Sequence, residues 1–129
     1  MIRHGIAAFA LVAMAGAIAF HRPAAAGTEN PRIAASAHLY DTYCAQCHGV
    51  QRDGKGVNTG GLSVQPRDHS DTAAMSSLPR DQMIKAIADG GASVNKSALM
   101  PAWSSVMTRE QIEDMADYLI HVCKCGKGS

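Results

Sequence analysis

The apolar residues of this chain recur at helical intervals in three separate stretches, and nowhere do they alternate with polar residues as in a strand. In chain order, the three stripes are Ile33, Ala37, Tyr40 and Tyr43; Met83, Ile84, Ile87 and Ala88; and Ile112, Met115, Ala116, Leu119, Ile120 and Cys123. A spacing of three and four residues is typical of one face of an amphipathic helix. The pattern therefore predicts an all-α fold with about three main helices joined by long loops.

Local signals place the ends of the first and last of these helices. Asn30 suits an N-cap and Pro31 the first helical position, so a helix is expected over about residues 31–45. Thr108 and Gln111 stand three residues apart, which is the spacing of a capping box, and they predict the start of the last helix.

The middle helix has equally clear boundaries. Pro79 is expected to begin it, and the glycines at 90 and 91 end it in the manner of a helix C-terminus. Asp71 is expected to cap a short helical turn that reaches Met75. Two further stretches without helical periodicity are expected to form loops: 49–61 and 92–107.

Residues 1–26 have the pattern of a secretory signal peptide. A basic start at Arg3 precedes an apolar run over 6–20, and small residues at Ala24 and Ala26 suit a cleavage site, so cleavage is expected after Ala26. The run is shorter than the roughly 20 residues that a membrane-spanning helix needs, although a retained anchor stays open as an alternative. A periplasmic protein with one domain over 27–129 is the resulting expectation.

Removal of the leader changes the charge and the aromatic content. The full chain has a formal net charge of +1, but loss of Arg3 and Arg22 brings it to −1, so no basic surface for nucleic acid is indicated. Loss of Phe9 and Phe20 leaves one Trp and three Tyr as the only aromatic residues of types Phe, Trp and Tyr. So small a domain buries a modest fraction of its surface, and a large flat cofactor would supply the missing core.

The strongest chemical signal is the pentapeptide Cys44-Ala-Gln-Cys47-His48, whose spacing is that of a c-type haem attachment motif. Each thiol can add across one vinyl group of the porphyrin, and the adjoining histidine can then bind iron. Alternatives are a redox dithiol and half of a zinc site. The dithiol interpretation requires a βαβ setting, which the sequence does not indicate.

A second iron ligand decides between an electron carrier and a ligand-binding protein. Met100 is the favoured residue because it lies in a loop and is followed by Pro101, whereas Met83 and Met115 fall on apolar helical stripes. His69, in the loop beyond the cysteine motif, is the rival and would give bis-histidine ligation. Histidine and methionine together predict a couple of positive potential.

Several segments together resemble bacterial class I cytochromes c, particularly small periplasmic ones of the cytochrome c5, c6 and cbb3-subunit-III kind. The matching segments are Cys44–Gly49, Asp53–Gly56, Pro66–Asp68, Met100–Trp103, Thr108–Ile112 and Tyr118–Ile120. The resemblance covers residues 31–123 and implies helices packed around one haem c, with the first and last helices crossing near Tyr40 and Tyr118.

Two positions depart from the pattern of the family that the chain resembles. Many relatives have proline where Val57 stands, which leaves open the carbonyl that receives the free N–H of His48. Many have phenylalanine where His69 stands. Arg67 and the indole of Trp103 are candidates for hydrogen bonds to haem propionates. The alternatives are that Arg67 is an ordinary surface residue and that Trp103 only packs against its neighbours.

No catalytic constellation accompanies the predicted haem site, so the first hypothesis is a monomeric one-electron carrier between periplasmic redox proteins. No nucleic-acid partner is expected, and a membrane is reached only transiently or through a redox partner. The second is the haem subunit of a larger oxidoreductase, and the third a peroxidase or gas-binding haem protein. Cys123 and Cys125 have no assigned role. Pairing with each other, linkage to a partner and a zinc site with all four cysteines remain open.

Overall fold

A computed structural model describes residues 30–126 and is helical, with no strand in that range. The α-helices are α1 (Pro31–Tyr43), α2 (Ala45–His48), α3 (Thr72–Ser76), α4 (Arg80–Asp89) and α5 (Arg109–Cys123), with 3-10 turns at Val57–Thr59 and Gly91–Val94. The all-α prediction is confirmed, and the three long helices are those that the apolar stripes predict.

The first helix is shorter than expected. It ends at Tyr43 rather than near residue 45, and the chain turns at Cys44 before α2 begins at Ala45. The turn is tight, because the N–H of Cys47 donates to the carbonyl of Cys44 only three residues back, at 3.1 Å. A second difference is that residues 92–94, which were expected to begin a loop, belong to the 3-10 turn Gly91–Val94.

Side-chain caps start the helices where the sequence indicates. The Asn30 carboxamide accepts from the N–H of Arg32 at 3.0 Å, and the Asp71 carboxylate caps α3. At the start of α5 the Thr108 hydroxyl accepts from the N–H of Gln111, while the Gln111 side chain accepts from the N–H of Thr108. The predicted capping box is therefore present in full.

The first and last helices, α1 and α5, pack against each other at the centre of the fold. The rings of Tyr40 and Tyr118 lie 5.7 Å apart between centroids, as the expected crossing requires. Ser36 and Ala116 are both fully buried, and small residues at such positions let two helices approach closely. Helix α4 also packs against α5, and its Arg80 makes a two-pronged ion pair with Asp117 at 2.6 and 2.9 Å.

The predicted signal peptide over residues 1–26 and its cleavage after Ala26 lie outside the described residues, as does the end of the predicted domain over 27–129. Between residues 30 and 126, no helix has the length and apolar character needed to cross a membrane.

The loop after α2 returns so close to the helix that one position has no room for a side chain. Gly56 donates its N–H to the carbonyl of Cys47 at 3.0 Å, and a Cβ there would overlap with the carbonyl of Gln46. Gly60, a few residues on, has ordinary φ and nothing within 4 Å of a Cβ. The two glycines therefore form a matched pair.

We expect Gly56→Ala to lower the free energy of unfolding by about 1–3 kcal/mol, the usual range for overpacking, because backbone must move to admit the methyl group. Gly60→Ala should be neutral, or stabilising by roughly 0.4–1 kcal/mol. Chemical denaturation of both variants in the same state of cofactor loading measures the difference. Equal stabilities for the two variants would contradict the close approach.

Candidate cofactor site

A cavity of about 560 Å³ is lined by residues of all five α-helices and of the loops between them. This volume is within the roughly 300–1,000 Å³ that small-molecule and cofactor sites occupy. Every site residue that the sequence predicts lines this cavity: Cys44, Cys47, His48, Arg67, Met100 and Trp103. Most of the remaining lining is apolar, as expected of a site for a large flat group.

The cysteine motif forms one helical turn on the cavity wall. Cys44 and Cys47 are free thiols, both partly buried, and the N–H of His48 donates to the carbonyl of Cys44 at 2.8 Å. Burial raises the pKa of the Cys44 thiol to about 12, so this sulfur is uncharged at neutral pH. Two thiols and an imidazole from a single turn fit the attachment of a haem at this wall.

The orientation of His48 is set by a hydrogen bond to a distant loop. Its Nδ1 lies 3.1 Å from the backbone carbonyl of Arg67. A carbonyl can only accept, so Nδ1 carries the proton and Nε2 keeps the lone pair that a metal requires. Burial lowers the pKa of His48, which also favours the neutral ring. The sequence left open which carbonyl accepts the N–H of His48, because Val57 stands where many relatives have proline. The structure shows that it is the carbonyl of Arg67.

His69 lies beside His48 and not across the cavity from it. The two rings are stacked, 4.4 Å apart between centroids and 16° from parallel, and His69 is 8% exposed. Burial, followed by the charges of His48 and Arg67, lowers the pKa of His69 to about 3. A ring stacked on His48 could not also reach the opposite side of a metal that His48 would bind, so the geometry disfavours bis-histidine ligation through His69.

Met100 is presented by a loop that is fastened to the end of α4. The N–H of Gly91 donates to the Met100 carbonyl at 3.0 Å, and the N–H of Trp103 donates to that of Ile87 at 3.0 Å. Gly90 has φ of +82°, and a Cβ there would lie 2.9 Å from the Met100 carbonyl oxygen. These contacts hold the backbone of Met100 against the helix, so its side chain enters the cavity from a constrained position.

Three other methionines also line the cavity: Met75, Met83 and Met115. All three lie within helices and are at most 4% exposed, as core residues are. Their sulfurs are soft atoms in the same wall, so the choice of Met100 as a ligand rests on its loop position. Arg67 and Trp103 are partly buried, and the Trp103 ring packs 5.4 Å from that of Tyr43.

Arg52 is a structural residue that the sequence did not single out. Its Nε donates to the Tyr118 hydroxyl at 2.7 Å, and its guanidinium pairs with Asp41 at 2.8 Å and lies 5.0 Å from the Tyr40 ring centroid. Its carbonyl accepts the N–H of His69 at 2.7 Å. The backbone of Arg52 has a positive φ of +63°. An arginine in a glycine-rich segment does not indicate that conformation in the sequence.

The two C-terminal cysteines are joined to each other, because Cys123 and Cys125 form a disulfide. The sequence left three alternatives open for these cysteines, and the structure shows the one in which they pair with each other. Within residues 30–126, no three His, Cys, Asp or Glu side chains gather as a metal site would require. The zinc alternative consequently has no support in this part of the chain.

Comparisons with known proteins agree on one family. A family model described as cytochrome c oxidase, cbb3-type, subunit III matches residues 31–119. The quinohemoprotein alcohol dehydrogenase ADH-IIG of Pseudomonas putida is 31% identical over 99 residues, which are 77% of this chain and only 12% of that protein.

The fold has a counterpart among solved structures. The KustC0563 c-type cytochrome superposes with a TM-score of 0.51 at 24% identity, and the match covers 71% of this chain and 98% of that one. With the cysteine turn, the oriented histidine and the methionine loop on one cavity, these matches show that the chain belongs to the cbb3-type subunit III family of class I c-type cytochromes, electron-transfer proteins that contain haem c.

Proposed function

We propose that this chain is a one-electron carrier of the periplasm, with a single haem c bound covalently to Cys44 and Cys47 and with His48 and Met100 as the axial iron ligands. The observation that carries the proposal is the state of His48. Its Nδ1 is committed to the Arg67 carbonyl at 3.1 Å, so its Nε2 is available to a metal in the same cavity that receives the two thiols and the methionine loop.

When bound, the haem supplies a one-electron iron couple. The residues of the chain set the conditions for that couple. The Arg67 carbonyl holds the His48 ring in one tautomer, and the fastened loop keeps Met100 in place, so little has to move when the charge changes. Soft sulfur and an apolar lining both favour the reduced state, and we therefore expect a positive potential.

Arg67 and Trp103 have the chemistry to hold the haem propionates. Both line the cavity, and a guanidinium and an indole N–H are each suitable donors to a carboxylate. A lower midpoint potential in Arg67→Leu would support this role, because a positive charge near the propionates would have been removed. An unaltered potential would contradict it.

A second candidate is the haem subunit of a larger oxidoreductase. The relative from Pseudomonas putida is named as an alcohol dehydrogenase, and this chain matches only 12% of its length. In that case the chain would exchange electrons with a catalytic partner and not with freely diffusing donors and acceptors. Co-purification with another polypeptide at native expression would favour the subunit, and a lone monomer would favour the carrier.

The decisive test uses the mature protein exported from a host that attaches haem c. We expect a red protein that titrates with one electron reversibly, whose reduced form does not bind carbon monoxide rapidly because Met100 occupies the sixth position. Rapid binding of carbon monoxide would instead support the gas-binding or peroxidatic alternative. A colourless protein with the mass of its amino acids alone would contradict every form of the proposal.

A further inference from the structure

The ring of His69 stacks on that of His48, the proposed iron ligand, and no role has yet been assigned to it. Its ring lies 4.4 Å from that of His48 and 16° from parallel, which is the geometry of stacked rings in contact. At 8% exposure it is one of two buried polar side chains among the described residues. A burial of this kind is costly for a polar ring unless its own contacts hold it.

Two contacts hold the His69 ring and its backbone. The Tyr40 hydroxyl lies 3.1 Å from Nδ1 of His69, and Tyr40 itself is 1% exposed in the crossing of α1 and α5. The N–H of His69 donates to the carbonyl of Arg52 at 2.7 Å. The ring is thus positioned by the helix crossing on one side and by the glycine-rich loop on the other.

The Arg67 carbonyl restrains the His48 ring at one edge. A hydrogen bond to Nδ1 selects the tautomer and orients the ring, but it makes no contact with either ring face. A flat neighbour in contact with one face adds a second restraint on rotation of the ring. His69 supplies this neighbour, so the edge and the face of His48 are restrained by different residues.

We propose that His69 is a positioning residue for the iron ligand: its buried ring, held by Tyr40, fixes the plane of the His48 imidazole and keeps water from its face. The inference rests on the proposed axial role of His48. The plane of an axial imidazole controls the distribution of unpaired spin in ferric haem, and solvent access beside the ligand influences the potential. His69 thereby tunes the couple without touching the metal.

The contact with the Tyr40 hydroxyl is the part of this arrangement that requires a histidine, whereas stacking on His48 requires only a flat ring. Among residues 30–126, the other hydrogen-bond partner of this hydroxyl is the carbonyl of His48 at 3.5 Å, a long distance for a hydrogen bond. Phenylalanine at position 69 would keep a flat ring beside His48 but would remove the acceptor of this buried hydroxyl. His69→Phe should therefore preserve the iron spectra yet lower the melting temperature, and adding Tyr40→Phe should recover part of the loss.

The test compares His69→Ala with the wild type by proton NMR of the oxidised protein and by redox titration. We expect the paramagnetically shifted haem methyl resonances to move and the midpoint potential to fall, because the ring can turn and water can enter. His121→Ala removes an exposed histidine from α5 and is the matched control, for which we expect wild-type values.

If His69→Ala does not assemble, Tyr40→Phe decides the point, since it loosens the His69 ring without removing it. Smaller shifts in the same direction support the inference. Native methyl shifts and a native potential in either assembled variant overturn it, while a normal carrier spectrum in the wild type would leave the proposed function intact. A wild type without histidine and methionine at iron would instead overturn the proposed function itself.

Discussion

Replacing Met100 with alanine is expected to abolish the weak red absorption band of the oxidised protein, which arises from charge transfer between sulfur and ferric iron. The midpoint potential should fall by a sizeable share of the roughly 0.8 V over which axial ligands set haem potentials. Both effects follow from losing the soft ligand that stabilises ferrous iron. The reduced variant should also bind carbon monoxide rapidly, because a coordination position has been vacated.

The chain offers a close control for this experiment. Met75 lines the same cavity, but it lies in a helix and is 1% exposed. Met75→Leu should keep the red band and change the potential little, since a volume-conserving swap in a core usually costs less than about 1.5 kcal/mol. A band that survives Met100→Ala and disappears in Met75→Leu would transfer the ligand assignment to α3.

The second large effect is expected from the cysteines of the attachment turn. A Cys44→Ser, Cys47→Ser double variant should lose all covalently bound haem, because a serine hydroxyl does not add across a haem vinyl group as a thiol does. Intact mass under denaturing conditions measures this directly. The wild type should exceed its polypeptide mass by one haem, whereas the double variant should match its polypeptide mass.

The C-terminal cysteine pair provides the control for thiol loss in general. Cys123 and Cys125 are already joined in a disulfide, so they are not available for attachment. A Cys123→Ser, Cys125→Ser variant should therefore retain one covalent haem. Retention of covalent haem by the Cys44→Ser, Cys47→Ser variant would show that attachment occurs elsewhere and would contradict the proposed site.

Structural features that depend on contacts between neighbouring residues could be predicted from the sequence. The capping box at Thr108 and Gln111 joins residues three apart, and the turn from Cys44 to His48 places its groups within one stretch of five. Apolar periodicity places α4 and α5 because each buries one stripe of its own residues. The one-residue break at Cys44 could not be predicted, since helix ends shift with small changes in local hydrogen bonding.

Interactions between distant residues could not be predicted in the same way. The carbonyl that orients His48 belongs to Arg67, which is 19 residues away, and the hydroxyl at His69 belongs to Tyr40, at a separation of 29. Arg52 and Tyr118 are 66 residues apart. A side-chain type alone does not specify which distant group it will contact, because that depends on how the helices cross and where each loop returns.

The sequence by itself therefore determined the helices, their caps and the single Cys-x-x-Cys-His motif, because each depends on neighbours within a turn or on a regular repeat. The tertiary structure decided which carbonyl orients His48, placed His69 beside that ring, and held the Met100 loop against α4. These features depend on packing, since the cavity exists only where α1, α4, α5 and their loops come together around it.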